Sequence, residues 1–134
     1  MPIPDPYARV SLTADQEVRI ERLRDTEAAA RAVIQRAVDG EDLAPGAEPR
    51  ALIDTACRTL AQTIAELCPP SADRAAAERC VRLARVLAAD ALMQPLVEQR
   101  AYLLRMAIDD LLRAEMQAVF SVTLALPAEL PPLT

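Results

Sequence analysis

Residues 49–92 read PRALIDTACRTLAQTIAELCPPSADRAAAERCVRLARVLAADAL. In the first half, Ile53, Cys57, Leu60, Ile64 and Leu67 follow one another at spacings of four, three, four and three. That repeat lines all five along one side of an α-helix. Such a seam is either a dimerisation stripe or the core face of a bundle, and the bundle is the simpler expectation. Pro49 suits a first helical turn, and Pro69-Pro70 cannot continue the helix. Ser71 then caps a further segment running to about Met93. Its Ala, Val and Leu residues surround nearly the whole circumference, and charge is confined to Arg74, Glu78, Arg82 and Arg85, with Arg79 and Asp90 beside them. A helix this apolar is expected at the centre of a bundle or on the face of an oligomer. The tight, Pro-containing turn between the two segments favours antiparallel neighbours.

The flanking sequence extends the pattern. Thr13 with Gln16 three residues later reads as a capping box opening a helix over 14–38, and Gly40 is a natural stop. Its apolar stripe, Ile20, Leu23, Ala30, Val33, Ile34 and Ala37, is thin where Thr26 and Glu27 intervene. Beyond Pro95, helical spacing of Val97, Ala101, Leu104, Ile108, Leu111, Val119, Val122 and Leu126 continues for some 30 residues, broken by Glu115. Arg105–Asp109 and Asp109–Arg113 read as exposed pairs one turn apart. Pro2, Pro4 and Pro6 stiffen the N-terminal arm, and Pro127, Pro131 and Pro132 the C-terminal tail. The expectation is an all-α protein: an antiparallel bundle of four main helices over 13–126, with an extended arm at 1–12 and a Pro-rich tail at 127–134.

Composition excludes several chemistries. The 134 residues contain 52% hydrophobic and 26% charged residues but no His and no Trp. Every basic residue is Arg; Lys is absent. Without His, the usual base near neutral pH is missing, as are Ser-His-Asp and Cys-His arrangements and imidazole metal sites. Without Lys there is no Schiff base and no phosphate-loop lysine. No catalytic, cofactor-binding or metal-ligating residue is identified, and the chain reads as a non-enzyme without a cofactor. The net charge of −5 argues against duplex nucleic acid. The aromatics, Tyr7, Tyr102 and Phe120, are too few for base-stacking platforms. No signal peptide and no membrane-spanning run is read, so the expected location is the cytoplasm.

The residues left for function are arginines, thiols and exposed apolar groups. Arg74, Arg82 and Arg85 form a strip that could hold an anion, since guanidinium groups bind phosphate and carboxylate bidentately. Cys57 and Cys80 read as small core residues, and Cys68, at a helix end, as the more exposed thiol. The last helix, about 30 residues, is expected to overhang the others, leaving Met116, Val119, Phe120, Val122, Leu124 and Leu126 as an apolar patch for a homodimer or larger oligomer. The leading expectation is a helical interaction or adaptor protein that assembles with itself or with a protein partner. The alternative is a ligand-sequestering protein that clasps an anionic molecule between subunits. The openings of the first two helices, Leu12-Thr13 before an acidic turn and Pro49-Arg50, slightly resemble small helical phage anti-defence proteins that sponge cyclic-nucleotide signals. No residue role is taken from that likeness.

Overall fold

The structure, a computed structural model, describes residues 11–41 and 48–133. Most of the arm expected at 1–12 lies outside these residues. Four helices follow in order: α1 (Ala14–Val38), α2 (Pro49–Leu67), α3 (Ala72–Leu92) and α4 (Val97–Thr123). Each packs against its neighbours in sequence, and α1 also packs against α4, so the four close into a ring. The protein is an all-α, antiparallel four-helix bundle.

Local sequence explains the boundaries. The Thr13 hydroxyl accepts from the Gln16 N–H at 3.1 Å, and the Gln16 side chain accepts from the Thr13 N–H at 2.9 Å. Pro49 opens α2, and the Ser71 hydroxyl caps α3 by accepting from the Arg74 N–H at 3.1 Å. After α1 the chain turns through Gly40 at φ +71°, a conformation that disfavours any residue with a Cβ. Pro95 lies in the link between α3 and α4, so the two are separate helices rather than one kinked rod.

The core is divided by size. α1 and α2 contribute Leu23, Ile34, Ile53, Leu60, Ile64 and Leu67, whereas α3 contributes Ala77, Val81, Ala84, Ala88 and Ala91. Those small residues recur at spacings of four and three, and α3 and α4 make the most extensive contact in the bundle. Alanine seams permit this, because interaxial distance falls with side-chain size at the contact. α3 is therefore not the central helix expected from its composition. It is a ring member whose Leu83 and Val86 face solvent.

The polar residues inside are tied to helix ends. Arg19, 2% exposed, donates from its Nε to Asp15 at 3.0 Å, from one terminal nitrogen to the Leu67 carbonyl at 3.0 Å, and from the other to the Pro131 carbonyl. Gln16 Nε2 donates to the Val122 carbonyl at 3.0 Å. Arg74 donates to the Cys68 carbonyl at 3.2 Å. Among the described residues, Arg100 Nε is the one buried side-chain nitrogen or oxygen without a partner. Glu27, which thins the stripe of α1, is buried beside Arg31 at 3.0 Å, and Glu115 of α4 meets Arg24 of α1 at 3.3 Å.

The C-terminal segment, the Pro-rich tail of the sequence, folds back onto the bundle. α4 stops at Thr123, three residues short of the expected Leu126, and a 3₁₀ turn at Pro127–Glu129 follows. Leu130 then packs against the core, beneath the Pro131 carbonyl that Arg19 holds. With 27 residues in α4 and 25 in α1, the two helices differ in length by only about 3 Å, and the expected overhang is absent.

Replacing Arg19 by Met keeps most of the side chain's volume but strands the Leu67 and Pro131 carbonyls. Unfolding in urea should show a loss of about 2–4 kcal/mol, because unpaired buried partners of a charged donor are costly. An unchanged midpoint would mean that water replaces the guanidinium without penalty.

Candidate functional site

Three features hold the chemistry available to the bundle: a groove lined by arginines, the outer face of α4, and the thiols. The groove lies between α2 and α3. It has a volume of about 330 Å³ and is lined by Arg50, Asp54, Arg82, Arg85, Val86 and Ala89. Antiparallel packing brings the first turns of α2 beside the second half of α3, which is how Arg50 and Asp54 reach Arg82 and Arg85. The Arg85 Nε lies 3.6 Å from an Asp54 carboxylate oxygen. Arg50 and Arg82 have no ion pair among the described residues, so their guanidinium groups are available to an anion.

The sequence strip is thus split. Arg82 and Arg85 line the groove, whereas Arg74 pairs with Glu78 at 2.8 Å and borders a different surface, with Pro70 and Ser71. The reason is axial distance: eight residues of helix place Arg74 about 12 Å from Arg82. Arg50, which the strip on α3 could not reveal, takes its place from the neighbouring helix.

The outer face of α4 is unusual in its sizes. The helix buries Leu104, Ala107, Leu111, Ala114, Ala118 and Val122 but exposes Tyr102, Met106, Leu112, Met116 and Phe120. Both aromatics among the described residues are therefore on its surface. Of the patch expected from sequence, Met116, Phe120, Leu124 and Leu126 are exposed. Val119 is partly buried, and Val122 is fully buried in the core. Val122 cannot contribute to an external surface; it faces inward beside Ser121, where α1 covers the end of α4 through Gln16. The expected Arg105–Asp109 and Asp109–Arg113 pairs give way to Arg113 with Asp110 at 3.4 Å, three residues apart.

The thiols reverse the expected order. Cys68 is fully buried, its Sγ 3.6 Å from the Ala118 carbonyl, because α4 lies over the end of α2. Cys80 is the partly exposed one, and all three are free. Burial pushes the Cys57 thiol up to about 11, against a smaller lowering by Arg85. Burial also raises Cys68, and at Cys80 burial and then Asp110 raise the thiol against Arg113 and Arg79. Thiols held protonated are poor nucleophiles. Among the described residues no group of His, Cys, Asp and Glu could hold a metal ion, and no helix is long and apolar enough to cross a membrane.

No protein-family model, no curated protein and no solved structure matches the chain.

The Cys57 shift has a pH consequence. Below pH 9 the thiol is protonated in both folded and unfolded chains. Between about 9 and 11 the unfolded chain releases the proton and the folded chain keeps it, so stability falls as pH rises. The slope from this group is about 1.4 kcal/mol per pH unit. Urea unfolding at pH 8, 9 and 10 should show the wild type losing more stability than Cys57→Ala across that window; parallel losses would place the ionisation elsewhere.

Proposed function

We propose that this protein is a non-enzymatic assembly module, which acts by associating with itself or with a protein partner through the outer face of α4. The observation that carries this reading is what α4 leaves outside: Tyr102, Met106, Met116 and Phe120 are exposed, while Leu104, Ala107, Leu111, Ala114, Ala118 and Val122 fill its inner face. Large apolar side chains gathered on one exposed helix face in this way mark an interaction surface more often than an accident of composition. The absence of His and Lys, together with three protonated thiols, supports a role without covalent or acid–base catalysis. Free thiols also fit a reducing, cytoplasmic setting.

Sedimentation velocity over a range of about 1–200 µM should show self-association. A standard interface buries about 800 Å² on each partner, and one helix face offers less, so a micromolar constant is expected. Met116→Asp with Phe120→Asp should move the protein to monomer while circular dichroism stays unchanged, since both side chains are exposed. Unaltered association of that variant would remove the face from the interface.

One observation favours a second reading, capture of an anionic ligand: Arg50 and Arg82 line one groove, its Asp54 is engaged by Arg85, and neither arginine has an ion pair among the described residues. Inorganic phosphate and a panel of nucleotides should then raise the melting temperature, because a ligand that binds only the folded state stabilises it. The rise should vanish in Arg50→Ala with Arg82→Ala. No shift from any of these anions at millimolar concentration would refute the reading.

A further inference from the structure

The exposed side chains of α4 carry a symmetry of their own. Tyr102, Met106, Asp109, Arg113, Met116 and Phe120 are all exposed and follow at spacings of four, three, four, three and four. That is the repeat of a coiled-coil seam, and it runs along the side of α4 opposite the one that lines the core. The order is palindromic about Leu111. Tyr102 and Phe120 lie nine residues either side of it, Met106 and Met116 five, and Asp109 and Arg113 two. Aromatic thus answers aromatic, thioether answers thioether, and carboxylate answers guanidinium.

From this pattern we infer that the occupant of the α4 face is α4 of a second copy, laid antiparallel across a two-fold axis that crosses the seam at the height of Leu111, between Asp109 and Arg113. The inference rests on the assembly reading above and names its partner and register. In an antiparallel helix pair, the residue at a given distance on one side of the axis meets the residue at the same distance on the other. Tyr102 then meets Phe120 of the second copy, and Met106 meets Met116. Asp109 meets Arg113 twice, once on each side of the axis. The result is an isologous interface, closed at two subunits.

Charge decides the orientation. A parallel pair would set Asp109 against Asp109 and Arg113 against Arg113, and like charges brought together at an interface cost several kcal/mol. The antiparallel pair converts both repulsions into attractions. The groups are free to form them: Asp109 has no ion pair among the described residues, and Arg113 remains 67% exposed in its contact with Asp110. Its planar fork has five N–H donors, enough to serve a second carboxylate. Flexible methionines between the charges and the aromatic ends adapt to a helix face without preformed holes. Edge-to-face contact of Tyr102 with Phe120 closes each end of the seam. A different protein as partner would require no palindrome in this helix, so the symmetry itself favours a second copy.

Charge exchange tests the register. In Asp109→Arg, each axis-related contact becomes two guanidinium groups; in Arg113→Glu, it becomes two carboxylates. Each variant alone should dimerise about 100-fold more weakly than wild type. A mixture of the two variants should associate at near wild-type strength, because every contact is again between opposite charges. The double variant Asp109→Arg with Arg113→Glu should likewise dimerise alone. Recovery on mixing also shows that neither variant had simply failed to fold, and circular dichroism of each confirms it. If the wild type dimerises but both single variants do so equally well, the register about Leu111 is wrong while the assembly reading stands. If each variant is weakened and neither mixing nor the double exchange restores association, the pairing of Asp109 with Arg113 is wrong. A wild-type chain that stays monomeric to about 200 µM overturns both the second copy and self-assembly.

Discussion

Every α-helix ends in carbonyl groups that its own backbone cannot satisfy, and in this bundle the first turns of α1 supply donors for two other helices. Gln16 completes its own capping box with one end of its amide and donates to the last turn of α4 with the other. Arg19 donates to the last residue of α2 and to the segment beyond α4. Antiparallel order makes this possible, since it gathers the start of α1 and the ends of α2 and α4 at one pole. The fold of the C-terminal residues follows from it: Leu130 reaches the core because the Pro131 carbonyl has a buried guanidinium to accept from.

The distribution of volume is the second determinant of this molecule's character. Four helices must fill one interior at crystal-like density, and here the long side chains come mainly from α1 and α2, α3 brings mostly alanines, and α4 mixes alanines with Leu104, Leu111 and Val122. Close approach of α3 to α4 is the structural result. The chemical result is on the outside: the inner face of α4 is filled by Leu104, Leu111, Val122 and three alanines, and its Met, Tyr and Phe residues are left exposed. The same division leaves α3 with solvent-facing Leu83 and Val86, despite a composition that suggests burial on every side.

Much of this was legible in the sequence because it is local. Thr13 with Gln16, Pro49, and Ser71 after Pro69-Pro70 mark helix boundaries through backbone chemistry that needs no tertiary contact. The seam of α2 was legible for the same reason, since Ile53 to Leu67 repeat within one helix. What was not legible depends on register between helices. Cys68 reads as a helix end and hence as exposed, yet α4 lies over it. Val122 and Phe120 both read as apolar residues near a helix terminus, and only the covering by α1 separates the buried one from the exposed one. Arg50 is invisible to any reading of the strip on α3, because its partners Arg82 and Arg85 reach it from another helix. Arg74 shares their face of the helix but not their height along it.

The closed ring has a kinetic corollary. The links from α1 to α2, α2 to α3 and α3 to α4 each join elements adjacent in the chain, so these pairs can form over short loops. The bonds from Gln16 to Val122 and from Arg19 to Pro131 bridge separations of 106 and 112 residues. Loop closure over such distances is entropically dear from the open chain, and its cost falls once the local helix pairs have formed. Closure of α1 onto α4 is accordingly expected late, after the local pairs. Interactions made that late act mainly on the unfolding rate. The polar pole of the bundle thus serves less as a nucleus than as a latch, setting how long the folded ring stays shut.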